Sequence, residues 1–193
     1  MEKLLNKAKD IKIIFFDIDD TLRVKDTGFM PASLTHIFEM LHQKGILTGI
    51  ATGRNLCGVV PEIKALHPDF FVTANGAYVI DKSDQVIYKQ SLPQKVVLDI
   101  VEWLTSSSAE YVVYGADQVV ASAWSDTMQS AIEPIYGQLP IDPDYHLTHD
   151  IYQMVTMSEH EDQRTLPEKL SESVRMVRWH EHSSDIGPLN GSK

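Results

Sequence analysis

Apolar and polar positions alternate along residues 12–75 in blocks that fit a sheet covered by helices. Residues 13–16, Ile-Ile-Phe-Phe, are a β-branched and aromatic run typical of a strand buried on both faces. The pattern predicts, in order, a strand at 12–16, a helix at 31–44, a strand at 46–51, a helix at 59–66 and a strand at 70–73. Strands and helices in this order form a parallel sheet with right-handed crossovers, so we expect an α/β fold with a Rossmann-like parallel sheet.

The pattern changes after Asn75. Apolar runs at 77–80 and 86–89 flank a polar pentapeptide and predict a β-hairpin. The rest predicts helices at 94–105, 125–136 and 161–170, strands at 111–114, 119–122, 151–157 and 174–179, a loop at 137–150 and a return strand at 185–189. This mixture indicates an α+β domain inserted into the parallel one. We therefore expect a core at residues 1–81, an inserted domain at 82–182 and a return to the core at 183–193.

Composition narrows the class of partner. The 193 residues hold 17 Lys and Arg against 27 Asp and Glu, which gives a net charge of −10. General nucleic-acid and anionic-membrane binders need a basic face, so neither class of partner is expected. A single cysteine excludes an intrachain disulfide, and the N-terminal residues lack the apolar core of a signal peptide. No apolar run approaches membrane-spanning length, so we expect a soluble cytoplasmic protein.

Candidate chemistry starts where the first strand ends. Asp17 and Asp19 follow the apolar run directly, and Asp20 and Thr21 come next. In open α/β sheets this end of the strands is where ligands bind. Carboxylates crowded at this position repel one another, which costs free energy unless a cation or a proton neutralises their charge. The pattern therefore predicts a divalent-metal site with one acid free to do chemistry.

These residues resemble a known family. The run Asp17-Ile-Asp19-Asp20-Thr21 after a hydrophobic strand resembles the first motif, D-x-D-x-T, of the haloacid dehalogenase-like (HAD) phosphatases. Residues 51–54, Ala-Thr-Gly-Arg, resemble the second motif, and residues 75–77, Asn-Gly-Ala, match the Cof-type subgroup. That subgroup inserts an α+β cap between its second and third motifs, where this chain changes pattern. Residues 188–193 resemble the approach to the third motif, whose lysine would be Lys193.

The resemblance implies a Mg²⁺-dependent phosphohydrolase that acts on a small phosphorylated metabolite, such as a sugar phosphate. Asp17 would be the nucleophile that forms an aspartyl-phosphate, and Asp19 would protonate the leaving oxygen and later activate water. The Asp17 carboxylate and the Asp19 backbone carbonyl would hold Mg²⁺. Thr52 and Gly53 would bind the phosphoryl group, and the cation of Lys193 would balance its charge. Both acids can reach one substrate only if the chain leaves strand geometry after Asp17.

Each of these segments has a simpler interpretation. Residues 19–21 are also compatible with a helix cap or a polar turn, and residues 52–54 with a plain turn at a strand end. Asn75-Gly76 fits a turn before the cap as well as it fits a substrate contact. His180-Glu181-His182 has metal-ligand residue types, but without a nearby partner set it is typical of a surface strand end.

The family also has a fourth motif, Gly-Asp-x-x-Asn-Asp, which would follow Lys193 and complete the Mg²⁺ shell. Its absence from this sequence leaves three explanations: an ordered part of a longer protein, a truncated protein whose edge another subunit covers, or an inactive binding or regulatory protein. In the family's sheet, a later strand lies beside the strand at 13–16. Without it we expect a bare apolar edge, which a homo-oligomer would cover.

Overall fold

Two five-stranded sheets organise the residues that the computed structural model describes, 10–158 and 165–190. The strands are β1 (Ile13–Phe16), β2 (Leu47–Ala51), β3 (Phe70–Thr73), β4 (Tyr78–Asp81), β5 (Val86–Lys89), β6 (Glu110–Tyr114), β7 (Val119–Ala121), β8 (Gln153–Met157), β9 (Val174–Arg178) and β10 (Ser183–Pro188). The α-helices are α1 (Ser33–Gln43), α2 (Pro61–Lys64), α3 (Gln94–Ser106), α4 (Asp126–Tyr136) and α5 (Glu168–Ser171). Short 3₁₀ turns lie at Leu56–Gly58, Ala74–Gly76 and Tyr145–Leu147.

The first sheet, which we call the core sheet, has the order β1-β2-β3-β4-β5. β1, β2 and β3 are parallel, as predicted, and β4 and β5 continue the sheet as an antiparallel hairpin. Helix α1 covers one face, where Phe38 is 1% exposed and its ring centroid lies 5.1 Å from that of Phe16. The α/β fold class predicted from the sequence is therefore confirmed.

β1 lies at the edge of the core sheet and pairs with β2 alone among the described strands. On the face away from α1, the Phe15 side chain lies over Gly49 and remains 48% exposed, while Leu47 is 42% exposed. Among residues 10–158 and 165–190, no strand covers the apolar edge at residues 13–16, as expected. That a homo-oligomer covers it stays a prediction.

The second sheet, which with α3, α4 and α5 we call the cap, has the order β7-β6-β8-β10-β9 and is antiparallel throughout. Each face carries its own apolar cluster. Helix α3 packs on one face through Val97, Ile100 and Leu104, and α4 packs on the other through Met128 and Ile132. The α4 face also contacts core residues near Ala74, so α4 lies between the cap sheet and the core.

Two of the expected domain boundaries differ in the structure. β5, which lies within the predicted cap range 82–182, pairs with β4 and belongs to the core sheet. β10, which lies within the predicted return 183–193, runs antiparallel between β8 and β9 and belongs to the cap. Its alternate residues, including the fully buried Ile186, face the cap interior. The polar residues of this strand concealed that alternation.

Three other elements are shorter or more ordered than predicted. The expected helix at 59–66 is a 3₁₀ turn followed by the single turn α2. The expected loop at 137–150 contains a 3₁₀ turn whose Tyr145 is buried. The helix expected at 161–170 is seen as α5, and residues 161–164 lie outside the described part of the chain.

A buried acid fixes the start of β3 against β2. The side chain of Asp69 is 8% exposed and accepts hydrogen bonds from Thr48 N at 3.0 Å and Lys82 Nζ at 3.0 Å. His42 Nε2 lies 3.3 Å from the same carboxylate. Burial alone would raise the pKa of Asp69, but these hydrogen bonds and cations outweigh it and hold the pKa below its ordinary value.

Replacing Asp69 by Asn should remove part of the acid sensitivity of folding. A folded-state pKa below the unfolded one contributes stability that is present above about pH 4 and lost as the pH falls through the folded-state pKa. We expect Asn to cost about 1–3 kcal/mol at pH 7 and progressively less below pH 4. Urea unfolding at pH 7, 5 and 3 measures this difference. Asp84→Asn, at an exposed position, is the control; a deficit that stays constant with pH would contradict the prediction.

No helix among the described residues is long and apolar enough to cross a membrane. The expected cytoplasmic location stays a prediction.

Candidate active site

The chain leaves strand geometry immediately after Asp17. The carbonyl of Ile18 accepts hydrogen bonds from the backbone N–H groups of Thr21, Leu22 and Arg23 at 3.3, 3.0 and 2.9 Å. Ile18 itself is fully buried, which anchors the turn in the core, while Asp17 and Asp19 on either side of it are partly exposed. The chain therefore turns after Asp17, which is the condition that the sequence analysis set for both acids to reach one substrate.

Asp19 forms a bidentate ion pair with Arg54. Arg54 Nη2 lies 2.6 Å from Asp19 Oδ1, and Nε lies 3.0 Å from Oδ2. Arg54 is 5% exposed, and its Nη1 donates to the Gly58 carbonyl at 2.9 Å. Paired guanidinium and carboxylate groups of this geometry fix each other's orientation. The segments after β1 and β2 therefore converge on one point at the carboxyl end of the core sheet.

Thr52 and Gly53 form the turn that carries Arg54. Thr52 is 1% exposed, and its hydroxyl accepts a hydrogen bond from Arg54 N at 3.1 Å. A Cβ on Gly53 would lie 3.2 Å from Asn75 Oδ1, so the turn passes close to the 3₁₀ segment after β3. Both predicted phosphoryl-binding residues thus lie beside the Asp19–Arg54 pair.

Asn75 links the core to the cap. Its backbone has φ 53° and ψ 36°, a left-handed conformation that Asn tolerates better than most residues. Its side-chain amide donates to Asp185 Oδ2 at 2.7 Å and to Gln153 Oε1 at 2.9 Å. Gln153 Nε2 in turn donates to the Gly53 carbonyl at 3.4 Å. The turn interpretation of Asn75 is correct as far as it goes, but the side chain also holds two cap residues at the site.

A second contact between core and cap lies at Asn55. Its backbone N–H donates to the Tyr136 hydroxyl at 2.9 Å, and its side-chain amide donates to the Gly115 carbonyl at 2.7 Å. The Tyr136 hydroxyl donates to that of Tyr114 at 3.0 Å. Burial raises the pKa of both tyrosines, so the two phenols stay protonated near neutral pH.

These contacts border an open cavity of about 230 Å³ between core and cap. Its lining comprises core residues that include the ion pair, and cap residues that are mainly apolar. They are Asp19, Lys25, Gly53, Arg54 and Asn75 from the core, and Tyr114, Ile135, Tyr136, Val177, Trp179 and Asp185 from the cap. Lys25 Nζ lies 5.2 Å from the centre of the Trp179 ring, a cation–π contact that joins the two sides.

Sequence reasoning singled out four described residues, Asp17, Asp19, Thr52 and Gly53. Asp19 and Gly53 line this cavity, and Thr52 precedes Gly53 on the same turn. Asp17 is not among the lining residues, although only Ile18 separates it from Asp19. It did not assign Arg54 a role, although the residue stands in the second motif. Gln153 and Asp185 carried no local signal, because only the pairing of β8 with β10 brings them together. Lys193 lies outside the described residues.

The described residues contain no group of three or more His, Cys, Asp or Glu side chains arranged to hold a metal ion. His180, Glu181 and His182 lie in the turn between β9 and β10. The metal ligands that the family resemblance implies at the end of β1 are the Asp17 carboxylate and the Asp19 backbone carbonyl, and this assignment stays a prediction. Hard oxygen ligands of this kind suit Mg²⁺, which retains several waters and often needs only one or two carboxylates.

The core sheet with its inserted cap, and a carboxylate pair at the end of the first strand, define a class of capped α/β hydrolases. A family model described as haloacid dehalogenase-like hydrolase matches residues 14–193. The chain therefore belongs to the haloacid dehalogenase-like hydrolases, in their Cof-type group.

Relatives agree with this membership. One relative is a Streptococcus pyogenes serotype M6 protein whose name describes a bifunctional phosphatase/peptidyl-prolyl cis-trans isomerase. The chain is 47% identical to it over 184 residues and covers 39% of its length. It is 29% identical over 194 residues to a Bacillus subtilis strain 168 protein assigned by name as the phosphatase YkrA, and covers 71% of it. Each alignment includes 95% of this chain.

The fold is shared with solved structures. A hypothetical protein from Geobacillus kaustophilus HTA426 superposes with a TM-score of 0.81 at 32% identity. The match covers 94% of this chain and 71% of the Geobacillus chain. The arrangement of core and cap described above is therefore that of a known structural group.

Proposed function

We propose that this chain carries the site of a Mg²⁺-dependent phosphohydrolase that works through an aspartyl-phosphate. The observation that carries the proposal is the meeting of Asp19 with Arg54 at 2.6 Å. This contact brings the segments after two adjacent parallel strands to one edge of a cavity that the cap closes. The phosphatase names of the streptococcal and Bacillus relatives support the same reaction class.

In the first step, a carboxylate oxygen of Asp17 attacks phosphorus and the bond from phosphorus to the bridging oxygen breaks. Asp19 donates a proton to that oxygen, so the alcohol leaves in neutral form. To do so its carboxyl group must be protonated and must release one of its two contacts with Arg54. In the second step, water attacks the phosphorus of the aspartyl-phosphate and Asp19 accepts the proton of the water. Inorganic phosphate leaves, and the Asp17 carboxylate is restored.

The remaining residues position the phosphoryl group. Thr52 and Gly53 lie on the turn beside the ion pair. Thr52 would offer its hydroxyl to the phosphoryl oxygens, and Gly53 would let these oxygens approach the backbone closely. We assign Lys193 to charge compensation, as the third-motif resemblance implies. Arg54 is a positioning residue, because it acts on the substrate through Asp19. The Asp17 carboxylate and the Asp19 carbonyl would hold Mg²⁺. When bound, this cation would neutralise negative charge on the phosphoryl group.

The substrate class we propose is a small phosphorylated metabolite, the group to which sugar phosphates belong. The cavity of about 230 Å³ is below the roughly 300–1,000 Å³ usual for sites of drug-sized ligands. The alternative of an inactive binding or regulatory protein is not favoured, because it would leave the intact Asp17 and Asp19 motif without a use.

Phosphate release from para-nitrophenyl phosphate tests the reaction class. With Mg²⁺ we expect release that falls by at least about 100-fold after chelation with EDTA and returns when Mg²⁺ is restored, since the cation neutralises phosphoryl charge. Ca²⁺, which prefers more ligands and longer bonds, should not restore it. Failure to release phosphate from a broad panel of esters, in a protein shown to be folded, would contradict the proposal.

A further inference from the structure

The cap side of the cavity offers a mainly apolar wall. Ile135 and Tyr136 come from the last turn of α4, Val177 comes from β9, and Trp179 follows β9 directly. Val177 is 47% exposed although it is aliphatic, and it belongs to the cavity lining. Such a wall favours binding of a ligand whose cap-facing part is apolar, because their contact removes apolar surface from water.

The two phenols on this wall are already engaged with the protein, and the buried Trp179 Nε1 has no hydrogen-bond partner among the described residues. The Tyr136 hydroxyl accepts from Asn55 N and donates to Tyr114, and both phenols are kept protonated by burial. Tyr136 cannot turn towards a ligand without breaking its contact with Asn55 of the core, and Tyr114 cannot do so without losing its contact with Tyr136. A ligand hydroxyl therefore gains a phenol as partner only at the expense of one of these contacts.

Arg54 and Asn75 on the core side are engaged as well, whereas the exposed Lys25 ammonium lies over the Trp179 ring. Arg54 uses its Nε, Nη1 and Nη2 atoms on Asp19 and on the Gly58 carbonyl. The Asn75 amide donates to Gln153 and Asp185. A polyhydroxylated leaving group would place several hydroxyls against the apolar wall and the engaged Arg54 and Asn75 groups, and hydroxyls buried without partners cost free energy. A flat apolar ring has no such cost.

Trp179 is the aromatic residue best placed to contact such a ring. Its indole lies under Lys25 Nζ, which reaches it from the core loop that follows Asp19 and Asp20. The cation–π contact orients the indole relative to the core sheet, and hence relative to the acids at the end of β1. Aromatic rings prefer offset or edge-to-face contacts with other rings, and such contacts add to simple area burial.

We propose that the cavity selects phosphate monoesters of a small alcohol bearing a flat, largely apolar ring, and that Trp179 determines this preference. The inference rests on the proposed phosphohydrolase function and narrows its substrate class away from sugar phosphates.

Benzyl phosphate and glucose 6-phosphate test the preference, since both are esters of primary alcohols and neither leaving group is activated. We expect kcat/KM for benzyl phosphate to exceed that for glucose 6-phosphate by at least about 10-fold. Trp179→Ala should lower kcat/KM for benzyl phosphate by roughly 10–100-fold and change that for glucose 6-phosphate less than about 3-fold. Trp179→Phe should retain most of the preference, and Ile141→Ala, at an exposed cap position outside the lining, should leave both substrates unchanged.

Binding measurements separate this inference from the reaction itself. Calorimetric titration with benzylphosphonate, which cannot be hydrolysed, should show binding at least about 10-fold tighter than with methylphosphonate, and Trp179→Ala should abolish the difference. If that holds while no ester releases phosphate, the selectivity stands and the phosphohydrolase proposal fails. If glucose 6-phosphate is the equal or better substrate, or if Trp179→Ala slows both esters alike, the selectivity is overturned and the phosphohydrolase proposal stands.

Discussion

Replacing Asp17 by Asn is expected to lower kcat for phosphate monoester hydrolysis by at least about 10³-fold, because the amide is nearly isosteric but cannot form the aspartyl-phosphate. The change should leave folding almost intact. Asp17 is partly exposed, and its Oδ1 accepts a hydrogen bond from Ile18 N at 2.9 Å, which the amide oxygen of Asn can also accept. Loss of activity without loss of stability would thus isolate the nucleophile.

The chain offers a matched control for this substitution. Asp20 lies three residues on, is exposed, and its Oδ1 accepts a hydrogen bond from Lys25 N at 3.0 Å. Asp20→Asn removes the same charge from the same turn and keeps this acceptor, so we expect kcat within about 3-fold of the wild type. Equal losses in the two variants would indicate a general electrostatic effect of the turn and would argue against Asp17 as nucleophile.

Acid quenching followed by intact-mass spectrometry gives a direct second measurement. During turnover, the wild type should carry a phosphoryl adduct that hydroxylamine removes, since acyl phosphates react with it. Asp17→Asn should carry none, and Asp20→Asn should carry the adduct. An adduct that persists in Asp17→Asn would place the covalent intermediate on another residue.

The core of the fold could be predicted because its signals are local. The apolar run at 13–16, the helical periodicity of α1 and the runs at β2 and β3 each bury one face against the next element. Strand-helix-strand order then leaves few topologies. The family resemblance places β1 between β2 and a strand that would follow Lys193, and among the described strands β1 pairs with β2 alone.

The cap boundary could not be predicted in the same way. Ser183-Ser-Asp-Ile-Gly-Pro188 carries two serines, an aspartate and a glycine, so its composition favours a loop. Its central place in the cap sheet comes from pairing with both β8 and β9, which supplies burial that the segment's own hydropathy does not reveal. Tertiary pairing here overrides local propensity.

Only part of the site could be predicted from the sequence, for a similar reason. Asp17, Asp19 and Thr52 follow strands whose carboxyl ends must meet, so their proximity is implied by topology. The bond between Asn75 and Asp185 joins residues 110 positions apart and depends on how the cap docks. No local pattern encodes such a contact. Arg54 lies between these two cases. Its place in the second motif could be read from the sequence, but its burial, at 5% exposure, and its contacts with Asp19 and Gly58 could not.

Replacing Arg54 by Met should destabilise the protein and slow the reaction together. Met keeps much of the aliphatic length but removes three donated hydrogen bonds, two to Asp19 and one to the Gly58 carbonyl. Removing one partner of a buried, paired charge costs up to about 3–5 kcal/mol, and because the Asp19 side chain is 28% exposed we expect about 2–3 kcal/mol here. Urea unfolding measures this loss, and Arg178→Met, at an exposed cap position, is the matched control.

The kinetic effect should follow from the orientation of Asp19 and not from lost stability. We expect kcat to fall by roughly 10–100-fold at a temperature where the variant is fully folded, with KM changed less than about 3-fold. Arg54→Lys should not restore kcat, because a single ammonium cannot make the bidentate contact.

A double substitution decides whether Arg54 acts through Asp19. If it does, adding Arg54→Met to Asp19→Asn should lower kcat by less than about 3-fold beyond Asp19→Asn alone, because the group that Arg54 orients is already lost. A merely structural role would instead multiply the two effects. Full multiplicativity would therefore remove Arg54 from the chemistry and leave it as a residue that holds the turns after β1 and β2 together.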